Sequence, residues 1–197
     1  MKWNVKFLLS ATSPQQFPPP SVPEIAFLGR SNVGKSSMIN ALLGSVEARV
    51  SSTPGRTRAI NFFALQPGPT KPPQMIFADL PGYGYAKISK SISSEWPSFI
   101  EPYLENRESL ALCVCLVDSN IPAQKSDAQL FQTLQRWQRP FIVVATKADR
   151  HSSNTLRKAM LTLQRDLNVD AILPCSANKK TGLKELWATI LAASSQV

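Results

Sequence analysis

Gly29-Arg30-Ser31-Asn32-Val33-Gly34-Lys35-Ser36 is the stretch on which the fold turns. A short apolar run, residues 25–28, precedes it, and a helical pattern over Lys35–Leu43 follows. Between a strand and a helix, the G-x-x-x-x-G-K-S spacing makes a phosphate-binding loop. Its glycines let the backbone come close to an anion, and the N–H groups at the helix N-terminus point toward it. Lys35 brings a point charge to the β- and γ-phosphates of a nucleoside triphosphate. The Ser36 hydroxyl is placed to ligate the Mg²⁺ that bridges them. Arg30, Ser31, Asn32 and Val33 complete the wrapping loop.

Outward from that loop the chain alternates strands and helices. Residues 60–65 and 74–78 read as strands joined by Gln66-Pro67-Gly68-Pro69-Thr70-Lys71-Pro72-Pro73, a connection suited to antiparallel neighbours. Residues 110–117 (LALCVCLV) and 141–145 (FIVVA) are continuous apolar runs, as central parallel strands covered on both faces require. Leu130, Leu134 and Trp137 repeat at helical spacing, as do Leu156, Met160, Leu163 and Leu167. A strand over 171–173 and a helix marked by Leu183, Leu186, Ile190 and Leu191 close the pattern. This predicts a doubly wound P-loop fold with three α/β/α layers around a mostly parallel six-stranded sheet, one strand antiparallel. Ligands then bind beyond the carboxyl ends of the strands. Residues 24–197 are expected to form this domain. Residues 1–23 end in Phe17-Pro18-Pro19-Pro20-Ser21-Val22-Pro23 and are expected to be an extension packing on it or leading into it. Phe7 to Leu9 could lie along the domain as an edge strand.

Two further strings sit where strands end. Asp79-Leu80-Pro81-Gly82 follows the strand at 74–78, so its acid can hold a Mg²⁺-bound water and the Gly82 N–H can reach a γ-phosphate. Thr146-Lys147-Ala148-Asp149 ends the strand at 141–145 and has the [NT]-K-x-D form. A carboxylate is a pure acceptor, so Asp149 can take hydrogen bonds from guanine N1–H and N2–H₂, a donor pair that adenine lacks. An unpaired buried carboxylate would penalise adenine, and GTP is favoured over ATP. The Lys147 stem can lie across the base. After the last strand, Cys175-Ser176-Ala177 is small enough for a backbone N–H, that of Ala177, to approach guanine O6, with Cys175 lining the pocket.

Composition sets the bounds. The 197 residues suit one domain, and 43% of them are hydrophobic, too many for a disordered chain. No stretch approaches the ~18 apolar residues of a membrane span, and the patch Phe7, Leu8, Leu9 is too short for a secretory segment. A cytoplasmic monomer is the expectation. Lys and Arg number 22 against 13 acids, for a net charge of +9, which favours polyanionic partners such as nucleic acid or a ribosomal surface. Cys113 and Cys115 read as buried small hydrophobes, without CxxC spacing or a second cluster for zinc. His151, the only histidine, reads as a surface residue entering a helix.

Between the phosphate loop and Asp79 lies Ser51-Ser52-Thr53-Pro54-Gly55-Arg56-Thr57-Arg58, where a hydroxyl is needed as second magnesium ligand while γ-phosphate is present. By chemistry alone Thr53 and Thr57 both qualify. The strings G-R-S-N-V-G-K-S-S (29–37), T-P-G-R-T (53–57), D-L-P-G-Y-G-Y-A (79–86), T-K-A-D (146–149) and Ser176-Ala177 together resemble the EngB family of bacterial GTPases, over nearly the whole chain. The resemblance implies an Era-like, translation-factor-type GTPase, a role in assembling the large ribosomal subunit and a link to cell division. It also implies Thr57 as the switch ligand, with Gly55, Arg56, Arg58 and Ala59 beside the nucleotide. Lys35, Thr57 and Gly82 are then the candidate catalytic groups. Where Ras-like enzymes carry a water-orienting glutamine, Tyr83 stands here, so slow unassisted hydrolysis is expected. The Asn32 side-chain oxygen is a candidate to hold K⁺ beside the phosphates.

Overall fold

The computed structural model describes residues 3–46, 59–84 and 98–195. Seven strands form one sheet: β1 (Asn4–Ala11), β2 (Glu24–Gly29), β3 (Ile60–Gln66), β4 (Met75–Asp79), β5 (Leu110–Asp118), β6 (Phe141–Thr146) and β7 (Ile172–Pro174). Their spatial order is β1-β3-β4-β2-β5-β6-β7. Only β3 runs against the others, pairing antiparallel with both β1 and β4. The six strands from Glu24 onward are those the pattern predicts, and β1 adds a seventh at the edge. Ala11 faces Ile60 and Asn4 faces Gln66, with a register shift between Phe7 and Leu9. That shift flips the side chains of β1 partway along, which hides the period-2 signal from a reader of the sequence.

Among the described residues five α-helices cover the sheet: α1 (Lys35–Leu43), α2 (Ile100–Asn106), α3 (Lys125–Arg136), α4 (Ser153–Leu167) and α5 (Leu183–Ser194). Met38, Ile39 and Leu42 of α1 and Leu186 and Ile190 of α5 pack on one face, against Phe27, Phe63, Phe77, Val114 and Val144. Tyr103 of α2, Leu130 and Phe131 of α3, and Leu163 of α4 pack on the other, against Leu28, Phe62, Cys113, Cys115 and Val117. The LALCVCLV run is apolar throughout because β5 splits its side chains between these two cores. Each fully buried side chain of this size contributes roughly 1.5–3 kcal/mol. Helix α2 carries Pro102 in its first turn, where the missing N–H costs nothing, and the sequence reading had no helix there.

The N-terminal segment is tied to the domain from below. Glu24, fully buried, accepts hydrogen bonds from the Tyr103 hydroxyl (2.8 Å) and the Ser109 hydroxyl (3.0 Å) and is ion-paired with Arg107. The same guanidinium donates to the Pro18 carbonyl (2.6 Å) and lies over the Phe17 ring. Among the described residues no helix is long and apolar enough to cross a membrane.

Candidate functional site

β2 delivers the phosphate loop and α1 receives it. Gly34, at the N-cap of α1, has φ 100° and Asn32 has φ 66°. Left-handed residues spaced this way fold consecutive N–H groups into a concavity suited to an anion. Gly29 has no room for a side chain, since a Cβ there would stand 2.8 Å from Val33 Cγ1 and 3.0 Å from the Leu116 carbonyl. The loop is braced from behind, where the buried Thr146 hydroxyl donates to the Val33 carbonyl (2.6 Å). Lys147 Nζ donates to the Asn32 carbonyl (3.0 Å).

Asp79 is the last residue of β4, buried, and its carboxylate is ion-paired with Lys35 Nζ. The acid of D-x-x-G and the lysine of the phosphate loop are therefore within reach of one another, 44 residues apart in sequence. Past Asp79, Leu80 is buried in the core with its N–H bonded to the Phe27 carbonyl (3.2 Å), so only its backbone faces the loop side. The chain then lies against the phosphate loop. The Ser31 N–H donates to the Tyr83 carbonyl (2.9 Å), the Tyr83 N–H to the Gly29 carbonyl (3.4 Å), and a Cβ on Gly82 would stand 3.1 Å from Ser31 N. A hydroxyl (Ser36, half-buried, in the first turn of α1) and a carboxylate (Asp79) are hard oxygen donors, and this set fits Mg²⁺. The third expected oxygen, Thr57, lies outside the described residues, as do Gly55, Arg56 and Arg58. Ala59 is described, half-buried, one residue before β3.

At the end of β6, Lys147 takes a left-handed conformation (φ 58°), which turns the chain so that Asp149 is exposed. The Asp149 carboxylate accepts from the Ser176 hydroxyl (2.6 Å) and, weakly, from Asn178 Nδ2 (3.4 Å). The Ser176 bond holds its pKa below the ordinary value, so it is an anion at neutral pH. A cleft of about 650 Å³ runs from Gly34 past Thr146, Lys147 and Asp149 to Ala177. Thus the first and third motifs, about 110 residues apart, share one cavity of nucleotide size. Cys175 is buried behind its wall rather than lining it, and burial pushes its thiol up to about 12. Arg30 turns its side chain away from this cleft toward Gly84 and Asp127.

Two acids that no motif flagged belong to the neighbourhood. Asp118, at the end of β5, receives Lys147 Nζ (2.6 Å), the Asn120 N–H (3.0 Å) and Asn120 Nδ2 (3.0 Å). Burial pushes its carboxyl up, but those bonds and the lysine's charge outweigh it and leave the pKa lowered. Asp127, buried in the first turn of α3, accepts from the Tyr83 hydroxyl (2.9 Å). His151 stands at the entry to α4, as the sequence reading expects, but it is more than a surface residue. It is half-buried with Nε2 3.0 Å from the Ser119 carbonyl, so it pins the base loop to the β5 end.

A phosphate loop sharing one cleft with a T-K-x-D carboxylate, with a D-x-x-G backbone zipped beside it, defines a GTPase-type P-loop domain. The same class emerges from comparison. The 50S ribosome-binding GTPase family profile matches residues 24–147. The chain is 65% identical over 94% of its length to "Probable GTP-binding protein EngB" of Acidobacterium capsulatum, covering 88% of that protein. It is 54% identical to the protein of that name in Koribacter versatilis, over 98% of this chain and 96% of the other. A solved Era from Aquifex aeolicus bound to GDP and AlF4⁻ superposes with TM-score 0.69 at 26% identity, over 87% of this chain and 56% of that one. The chain belongs to the EngB family of GTP-binding proteins.

Proposed function

We propose that the chain is a GTP-hydrolysing switch of low intrinsic rate that acts in the cytoplasm in assembly of the large ribosomal subunit. The observation that carries the reading is the shared cleft, with Asp149 at one end and the Gly34 concavity at the other. In it Asp149 would take the guanine N1–H and N2–H₂, Ala177 would face O6, and Gly29 to Ser36 would wrap the phosphates. Ser36, Thr57 and, through water, Asp79 would hold Mg²⁺, which neutralises charge on the β- and γ-phosphates when bound. Lys35 would leave Asp79 for the phosphates, and the Gly82 N–H would meet the γ-phosphate.

Slow turnover is supported by Tyr83. Its side chain is 1% exposed and its hydroxyl is engaged by Asp127, so the phenol lies in the core and does not orient a water. Burial and the neighbouring carboxylate raise its pKa well above the ordinary value, so it offers no base either. The ribosomal role is supported by the family description and by the +9 charge. Ribosomal RNA as the partner class, though not the choice of subunit, is further supported by a related Era, 27% identical with TM-score 0.69, solved in complex with nucleotides 1506–1542 of 16S ribosomal RNA. Asn32, exposed on the phosphate loop, is the candidate for a K⁺ ligand. Equal hydrolysis rates in Na⁺ and K⁺ would remove that part.

The buried Tyr83 also favours a second reading, a nucleotide-dependent ribosome- or RNA-binding module in which hydrolysis is incidental. Co-sedimentation with ribosomal subunits separates the cases. Binding with a GTP analogue but not GDP supports the switch, binding indifferent to nucleotide removes it, and Asp149→Asn should abolish guanine preference in either.

A further inference from the structure

Helix α3 buries Leu130, Phe131 and Leu134 in the core, and one turn earlier on the same face stands Asp127, only 4% exposed. Packing alone would ask for an apolar side chain there, since an isolated carboxylate is costly to bury. Burial, partly offset by Tyr83, by the charge of Arg30 and by the Gln124 backbone, raises its pKa to about 6. Its hydroxyl donor, Tyr83, is itself buried and follows Gly82 directly.

The backbone of Tyr83 is the part that meets the phosphate loop. It bonds Ser31 N–H and the Gly29 carbonyl and forms an isolated parallel bridge with Arg30. Gly82 is pressed so closely on Ser31 that a Cβ would stand 3.1 Å from its N and Oγ. A shift of the Tyr83 ring therefore moves Gly82 against the loop. We propose that Asp127 is a positioning residue for the γ-phosphate end of the site, acting through the Tyr83 phenol to fix the backbone of Gly82. This rests on the reading that the Gly82 N–H meets the γ-phosphate. Asp127 touches no nucleotide; it sets the discrimination between tri- and diphosphate. The Arg30 Nε, buried and without a hydrogen-bond partner among the described residues, adds a positive charge that keeps the carboxylate as acceptor.

The test is titration calorimetry of the full chain with GDP and with GDPNP, a non-hydrolysable GTP analogue, in Mg²⁺ buffer. Tyr83→Phe and Asp127→Leu each break the link and should weaken GDPNP about tenfold, the scale of one buried hydrogen bond, with GDP affinity within about twofold. Together they should cost no more than the worse one. Asp127→Asn keeps an acceptor oxygen and should stay near wild type, which a merely space-filling role would not require. Equal loss of GDP and GDPNP, no loss in Tyr83→Phe, or damage from Asp127→Asn matching that from Asp127→Leu overturns the proposal. Gly82→Ala separates the two layers. If it leaves GDPNP binding intact, the γ-phosphate reading falls and takes the proposal with it. If it weakens GDPNP while Tyr83→Phe does not, only the Asp127 link falls. Should Asp127→Leu fail to fold, Tyr83→Phe decides alone.

Discussion

Asp118→Asn should loosen both ends of the nucleotide cleft at once. Lys147 Nζ is held between the Asp118 carboxylate (2.6 Å) and the Asn32 carbonyl (3.0 Å), so one ammonium joins the base loop to the phosphate loop. Its side chain is 27% exposed and that of Asp118 is 7% exposed. A charge-assisted hydrogen bond is worth about 1.5–3 kcal/mol, and with a quarter of the lysine in solvent the lower end applies. About 1.5 kcal/mol corresponds to roughly tenfold in affinity. Titration calorimetry should show GDP and GDPNP both weakened by about that factor, their ratio unchanged and the guanine preference retained, because Asp149 keeps its Ser176 bond. The substitution should do nothing further in a Lys147→Met background. A full tenfold loss in that background would show that Asp118 acts independently of the lysine, and the bridging argument would be wrong.

Other perturbations reach the frame rather than the cleft. Glu24→Ala strands the Arg107 guanidinium, 11% exposed, without its buried partner and should cost about 3–5 kcal/mol in urea unfolding. A loss under about 1 kcal/mol would mean that water replaces the carboxylate. The pH dependence of stability should carry the signature of Asp127, whose pKa rises from 3.8 to about 6 through burial. The folded chain then binds this proton more tightly than the unfolded one. The contribution is full below about pH 4 and is lost as pH rises through about 6, some 2–3 kcal/mol in all. Subtracting the Asp127→Asn unfolding curve should isolate that slope, and a flat difference would show an ordinary carboxyl.

The phosphate loop, D-x-x-G and T-K-x-D were legible because each is a contiguous string at a strand end, where residue type and local geometry coincide. The sheet from Glu24 onward was legible because its central strands are apolar on both faces. The seventh strand was legible only in part: Phe7 to Leu9 pointed to an edge strand, but the slip between Phe7 and Leu9 breaks the alternation that would have given its full length. Asp118 and Asp127 were equally silent: each takes its meaning from a residue 29 or 44 positions away, Lys147 or Tyr83. Cys175 was near the right place but misjudged in exposure, because a small residue beside a pocket can as easily back its wall as line it. His151 is half-buried through its contact with the Ser119 carbonyl, 32 positions away, which no local pattern shows.

The three cysteines, all fully buried, have a practical use. Burial pushes Cys113 and Cys175 to about 12 and raises Cys115 well above the ordinary thiol value, so the native surface offers no thiolate to an electrophile. Maleimide uptake by the unaltered chain would thus clock global opening, and a cysteine installed at the exposed Leu161 of α4 would be a single handle for a dye.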